Sequence, residues 1–108
     1  MGGWIGMDLD GTLAHYDVWR GDNYIGEPIP KMVKILKMLL DKGYTVKIFT
    51  ARAVMSNSKS IIKKWLKDNG LPDLEITNVK DFNMILLIDD RCRQVEINTG
   101  NFIGKLGI

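Results

Sequence analysis

The sequence predicts an α/β fold in which helices pack on the faces of a central, mostly parallel sheet. Three observations support this prediction. Short apolar runs typical of buried strands alternate with amphipathic helical segments, each helical segment is followed by glycine, and no repeat or linker interrupts the 108 residues. A chain of this length is large enough for a single hydrophobic core. We therefore expect one domain over residues 1–108.

The first half of the chain predicts a strand, a flap and a helix. Residues 4–7 (Trp-Ile-Gly-Met) form a short apolar run typical of a buried strand. Residues 14–30 are rich in glycine, aspartate, aromatic residues and proline, which predicts a flap or hairpin turning at residues 21–23. Pro30 then introduces a helix over about residues 31–42, which has one apolar face.

The second half repeats the strand and helix patterns. Residues 44–50 predict a second strand, and residues 58–69 predict a second helix with serine N-caps before it. A short strand over 74–77 and a strongly apolar one over 84–88 follow. We expect the tail, residues 95–108, to add one more short edge strand to the sheet.

Composition restricts the function without choosing one. Apolar residues at 45% and charged residues at 26% are typical of a soluble globular protein. The net charge of +2 is too small to indicate nucleic-acid binding by itself. Cys92 is the only cysteine, so no internal disulfide is possible. We therefore expect a cytoplasmic protein that does not interact with membranes.

Two aspartates follow the first predicted strand. Side chains alternate along a strand, so Asp8 and Asp10 point to the same side at its carboxyl end. Two neighbouring carboxylates repel each other unless a cation lies between them, and oxygen ligands suit Mg²⁺. The alternative is an exposed turn, since aspartate and glycine both favour turns.

Polar residues also follow the other predicted strands. Thr50 ends the second strand, Lys80 precedes the apolar strand over 84–88, and Asp89 and Asp90 follow it. In parallel sheets, ligands bind beyond the carboxyl ends of the strands. We therefore expect these side chains to surround one point together with the first acid pair.

These motifs resemble those of small phosphatases of the haloacid dehalogenase (HAD) superfamily. The four motifs of that family match, in order, Asp8-Leu9-Asp10-Gly11-Thr12, Thr50, Lys80 and Asp89-Asp90, and they span residues 8–90. The resemblance implies a HAD-like three-layer α/β sandwich with a short flap after the first strand. Neither the flap region nor the segment after the second strand has room for the cap domain that many members carry.

The resemblance also implies a role for each motif residue. Asp8 would be the nucleophile and Asp10 the general acid and base. Thr50 would contact the phosphate, and Lys80 would pair with both Asp8 and the phosphate. The implied phosphate-binding residues are Asp8, Leu9, Asp10, Thr50, Ala51, Arg52 and Lys80. The implied ligands of Mg²⁺ are Asp8, the main-chain carbonyl of Asp10, and Asp89, with Asp90 in support.

The resemblance implies a Mg²⁺-dependent phosphohydrolase that cleaves phosphate monoesters through an aspartyl-phosphate on Asp8. An acid at position 10 favours ester hydrolysis, because relatives that displace halide need no second acid. Two alternatives stay open: a phosphotransferase of the same superfamily, and a domain without catalysis that accepts a phosphoryl group or binds a partner.

The implied partner is a phosphorylated substrate. Capless relatives tend to act on large substrates, such as nucleic-acid ends or phosphoproteins, or borrow cover from a second subunit in a homo-oligomer. Flap aromatics, Tyr16, Trp19 and Tyr24, can stack on a substrate base or sugar, or can simply pack the flap onto the body.

Overall fold

A four-stranded parallel sheet with two helices forms the body of the molecule in a computed structural model, which describes residues 2–108. The elements, in chain order, are β1 (Trp4–Met7), α1 (Pro30–Asp41), β2 (Val46–Phe49), a short 3-10 helix (Ala51–Val54), α2 (Ser58–Asp68), β3 (Ile76–Thr77), β4 (Met84–Ile88), β5 (Gln94–Val95) and β6 (Phe102–Ile103). All the predicted helices and strands of the body are present, with ends that differ by one or two residues.

The sheet order is β3-β2-β1-β4, and every pairing in it is parallel. Met7 at the end of β1 lies opposite Ile48 of β2 on one side and Ile88 of β4 on the other. The carboxyl ends of these three strands therefore stand next to one another at one edge of the sheet.

One hydrophobic cluster joins the strands to both helices. It contains strand residues Ile5, Met7, Val46, Ile48 and Ile76, with Leu36 and Leu39 of α1 and Ile62 and Leu66 of α2. Burial of these side chains stabilises the sheet against the helices, since each buried aliphatic side chain contributes about 1.5–3 kcal/mol. The observed sheet, flanked by two helices, confirms the predicted α/β class and is consistent with a three-layer sandwich.

The helix ends follow local chemistry, with one difference from the prediction. Pro30 occupies the first turn of α1, and Gly43 follows its end with φ +88°, donating its N–H to the carbonyl of Leu40. The predicted serine N-cap of α2 is wrong. Asn57 holds that position without a side-chain cap, and Ser58 is the buried first residue of the helix.

Residues 14–30 form a flap that is closed only at its base. Ala14 and Pro28 make an isolated antiparallel bridge, and Tyr24 N–H donates to the carbonyl of Gly21 at the predicted turn. The chain between them has no paired strands. Within residues 2–108 no cap domain is inserted, either here or after β2.

The tail differs from the predicted edge strand. β5 and β6 pair with each other as an antiparallel hairpin and do not join the parallel sheet. Two segments separated by a short turn close a small loop, which costs less chain entropy than pairing with a distant edge. β4 is consequently the last strand of the sheet. Neither helix of the described residues has the length and apolar content needed to cross a bilayer.

Candidate active site

A cavity of about 700 Å³ opens at the carboxyl ends of β1, β2 and β4. It is lined by most of the predicted site residues, namely Asp8, Asp10, Thr50, Ala51, Arg52, Asp89 and Asp90. The strand register brings these residues together, since Asp8, Thr50 and Asp89 each directly follow a paired strand.

Three carboxylates from two strands meet on one side of this cavity. Asp8, Asp89 and Asp90 each offer an oxygen, and these oxygens lie within 4.8 Å of one another. The main chain supports this approach, because the N–H of Asp8 donates to the carbonyl of Ile88 at 2.9 Å. A donor set made only of carboxylate oxygens fits a hard divalent cation such as Mg²⁺.

The surroundings of Asp8 raise its pKa from 3.8 to about 7. Burial is the largest cause, because it disfavours the charged form. A hydrogen bond with Asp90 and the negative charge of Asp89 raise the pKa further, and the Thr12 hydroxyl partly opposes them. The negative charges of Asp89 and Asp90 therefore act on the pKa of Asp8 in the same direction as its burial.

Thr12 connects the two acid pairs, and the sequence reasoning did not assign it a role. Its hydroxyl lies 3.1 Å from Asp8 Oδ2 and 3.2 Å from Asp90 Oδ1, and it accepts the N–H of Asp90 at 3.0 Å. A hydroxyl has one hydrogen, so it donates to only one of these carboxylates at a time. The sequence signal that could have identified Thr12 as a site residue is its position in the Asp-Leu-Asp-Gly-Thr motif.

Gly11 lies where Asp90 comes close to the loop after β1, and this close approach favours a residue without a side chain. Its φ is +89°, in the left-handed region that favours glycine, and a Cβ there would lie 2.6 Å from Asp90 Oδ2. A side chain at this position would separate Asp90 from Asp8.

Arg52 forms an ion pair with Asp10, the second acid of the first motif. The guanidinium is 4% exposed and makes a two-pronged ion pair with Asp10, with Nε 2.7 Å from Oδ2 and Nη2 2.9 Å from Oδ1. It also donates to the flap carbonyls of Asp22 and Tyr24, at 3.2 and 2.8 Å. The resemblance implied that Arg52 binds phosphate, whereas here its donors serve Asp10 and the flap.

Asp10 is separate from the carboxylate cluster. Its side chain belongs to the pair with Arg52, while the cluster is made by Asp8, Asp89 and Asp90. A contribution of Asp10 to metal binding therefore rests on its main-chain carbonyl, as the resemblance implies.

The remaining predicted residues occupy different surroundings. Thr50 is buried at the cavity, where its hydroxyl accepts the N–H of Arg52 at 3.2 Å and caps the 3-10 helix. The Leu9 side chain lies in the core, so only its backbone can reach a ligand.

Lys80 is exposed in the loop between β3 and β4 and is not among the residues that line the cavity. Its charge acts on Cys92, whose pKa is raised mainly by burial and also by Asp89 and Asp8, with Lys80 opposing them. The predicted pairing of Lys80 with Asp8 is not among the ion pairs of the described residues. Lys80→Met would test whether its charge contributes to the site.

Aromatic and apolar side chains line the outer part of the cavity. Tyr16 and Trp19 come from the flap, and Val54 and Met55 come from the end of the 3-10 helix. The Arg52 Cζ lies 4.8 Å from the centroid of the Trp19 ring. Phe49, Asn78 and Arg91 complete the lining, and nothing in the sequence had marked Asn78 for this place.

Comparison with known proteins extends the description of the fold. The chain is similar to the solved structure of a conserved protein from Bacteroides thetaiotaomicron, with a TM-score of 0.66 and 24% identity over 85% of this chain and 78% of that one. At this identity the likeness shows the fold alone. None of the protein-family models and none of the curated proteins compared matches the chain.

Proposed function

We propose that the chain is a Mg²⁺-dependent phosphatase, resembling the HAD superfamily, that hydrolyses phosphate monoesters through an aspartyl-phosphate on Asp8. The observation that supports this most directly is the meeting of the Asp8, Asp89 and Asp90 carboxylates in one cavity. Because neighbouring carboxylates repel one another when charged, their grouping favours a function that brings in positive charge.

The cluster provides the proposed metal site. Asp8, Asp89 and Asp90 would hold the ion, since each offers a carboxylate oxygen within 4.8 Å of the others. When bound, Mg²⁺ supplies positive charge that offsets the repulsion between these carboxylates and a phosphate dianion.

Asp8 and Asp10 divide the proposed chemistry. In the first step an Asp8 oxygen forms a bond to phosphorus as the bond to the leaving oxygen breaks, and Asp10 gives its proton to that oxygen. In the second step a water gives a proton to Asp10 and attacks phosphorus, which releases inorganic phosphate and restores the Asp8 carboxylate. Arg52 orients Asp10 for both transfers through its two-pronged contact.

Hydrogen-bond donors at the cavity support phosphate binding. The Thr50 hydroxyl accepts from Arg52 N–H, which leaves its own hydrogen free to donate to a phosphoryl oxygen. Within residues 2–108 the backbone N–H groups of Leu9 and Asp10 donate no hydrogen bond. Phosphoryl transfer depends mainly on such positioning and charge stabilisation.

The proposed substrate is a phosphorylated molecule, and the open cavity admits a large one as well as a small one. We also propose a cytoplasmic location, because the single Cys92 forms no internal disulfide.

The test combines turnover with identification of the intermediate. Hydrolysis of an aryl phosphate is measured with and without Mg²⁺ for the wild type and for Asp8→Asn, and mass spectrometry of a rapidly quenched reaction locates any phosphoryl group. We expect Mg²⁺-dependent phosphate release, a phosphorylated Asp8 peptide, and neither in the variant.

Asp68→Asn is the matched control, since Asp68 is an exposed aspartate at the end of α2 and does not line the cavity. It should behave as the wild type. Full activity in Asp8→Asn would contradict the proposal. Phosphate passing to an added alcohol instead of water would identify a phosphotransferase, and a long-lived phosphoprotein without turnover would identify a phospho-acceptor domain.

A further inference from the structure

Trp19 is a large aromatic side chain that the fold leaves open to the cavity. It is 47% exposed although the Arg52 guanidinium lies over its ring at 4.8 Å from the centroid. Tyr16 beside it on the flap is 36% exposed, and Val54 across the cavity is 77% exposed. Apolar side chains exposed in a concave site are typical of ligand binding, because a ligand can cover them.

Arg52 makes this aromatic surface rigid. Its guanidinium is held by both oxygens of Asp10 and by the carbonyls of Asp22 and Tyr24, so it cannot move away without losing four hydrogen bonds. The ring of Trp19 rests on this fixed plane through a cation–π contact. A preorganised ring costs little entropy when a ligand stacks on it.

Arg52 forms an ion pair with Asp10 and lies over the ring of Trp19, so these three side chains form a continuous row at the cavity. The carboxylate cluster consists of Asp8, Asp89 and Asp90, and Asp10, which pairs with Arg52 instead, is proposed to protonate the leaving oxygen. A leaving group whose oxygen lies at Asp10 therefore extends past Arg52 toward Trp19.

We propose that the flap side of the cavity is a subsite for a planar ring in the leaving group, with Trp19 as the stacking surface and Arg52 as its positioning residue. The proposal rests on the proposed function for the identity of the reacting group. The substrate class it names is a phosphate monoester whose leaving group carries a flat heterocycle or aryl ring, as in a nucleoside monophosphate.

The test compares two ligands that differ only by the ring. Adenosine 5′-monophosphate and ribose 5-phosphate share the phosphoester and the sugar, and only the first carries a base. Dissociation constants are measured by calorimetry with Mg²⁺ in the Asp8→Asn background, where turnover does not consume the ligand, and kcat/KM is measured with the wild type. We expect the nucleotide to be favoured by about 5- to 150-fold, the range expected for stacking one base on an aromatic side chain.

Three flap variants separate stacking from packing. Trp19→Ala should remove the preference by weakening nucleotide binding alone, and Trp19→Phe should retain most of it, because it keeps a ring. Val18→Ala is the control, since Val18 is a 57% exposed apolar residue of the flap that does not line the cavity. It should leave the preference unchanged.

Equal affinity for the two ligands, or equal weakening of both by Trp19→Ala, would overturn the ring subsite. Failure of the two proposals can be told apart. Turnover of both substrates without preference removes the subsite and keeps the phosphatase, whereas ring-dependent binding without any Mg²⁺-dependent turnover keeps the subsite and removes the phosphatase.

Discussion

β1 and β4 are neighbouring strands of similar composition in very different surroundings. Both are apolar runs that lead directly into aspartates. β1 lies between two strands, and its residues Trp4, Ile5 and Met7 are at most 3% exposed, whereas Ile85 and Leu86 of β4 are 57% and 49% exposed. β4 pairs only with β1, and its side chains Ile85 and Leu86 stay open to solvent. Apolar composition makes a segment a strand, but its place in the sheet decides whether the strand is buried.

The difference extends to the last acid of the site. Asp8 follows the buried strand and is half-buried, and burial is the largest of the causes that raise its pKa to about 7. Asp89 is half-buried as well, whereas Asp90 is exposed. The half-buried position of Asp8 suits its proposed role as the nucleophile. The β4 acids approach it from a strand with a single partner, as suits residues that complete a metal site.

Replacement of the proposed nucleophile gives the largest expected effect. Asp8→Asn should lower kcat for an aryl phosphate at least about 10³-fold, because an amide does not replace a carboxylate as the attacking group. Steady-state kinetics at saturating Mg²⁺ measures this loss. A larger loss in Asp90→Asn than in Asp8→Asn would reverse the roles assigned to the two strands.

The second prediction compares the strands in stability. Ile5→Ala, in the buried strand, should lower the free energy of unfolding by about 2–5 kcal/mol, since it leaves a cavity in the core. Leu86→Ala, which lies beside Ile5 in the register of β1 and β4, should cost less than about 1.5 kcal/mol. Urea unfolding followed by circular dichroism measures both. Equal costs would mean that β4 is covered in solution.

The third prediction concerns the metal side of the site. Asp89→Asn should raise the Mg²⁺ concentration needed for half-maximal activity at least about tenfold, because one carboxylate ligand is lost. Saturating Mg²⁺ should restore much of the turnover, in contrast to Asp8→Asn. Asp17→Asn, an exposed flap acid paired with Arg20, serves as control. An unchanged Mg²⁺ titration in Asp89→Asn would remove that residue from the site.

The smallest expected effect is a pH dependence of stability in metal-free protein. The pKa of Asp8 is about 7 in the folded state, and the ordinary value of 3.8 applies to the unfolded state. Between these two pH values the folded state therefore keeps a proton on Asp8 that the unfolded state releases. Stability therefore falls as pH rises between these two values. We expect a Tm lower by at least about 4 °C at pH 8 than at pH 5, a shift that corresponds to about 1 kcal/mol in a domain of this size.

Two comparisons assign this shift to Asp8. Asp8→Asn should reduce it, and Mg²⁺ should raise Tm more at pH 8 than at pH 5, because the ion binds the charged carboxylate. The assignment fails when the variant and the wild type show the same pH dependence without metal.

Much of the fold and part of the site were predictable from local patterns. The segment over 84–88 was located correctly as a strand, and Asp8, Asp10 and Asp89 were located at strand ends. The exposure of the strand over 84–88 was not predictable, because an apolar run reads the same whether the strand lies inside a sheet or at its edge. The hairpin of β5 and β6 was missed for a related reason, since strand propensity does not name a partner.

By itself, the amino-acid sequence determined which segments become strands and helices and which carboxylates stand at their ends, because periodicity and turn chemistry act over a few residues. Only the tertiary structure decided that Arg52 holds Asp10 and the flap, and that Thr12 joins Asp8 to Asp90. Arg52 and Asp10 are 42 positions apart in the chain, and Thr12 and Asp90 are 78 positions apart. They arise from the order of strands in the sheet, which brings together side chains that no local pattern relates.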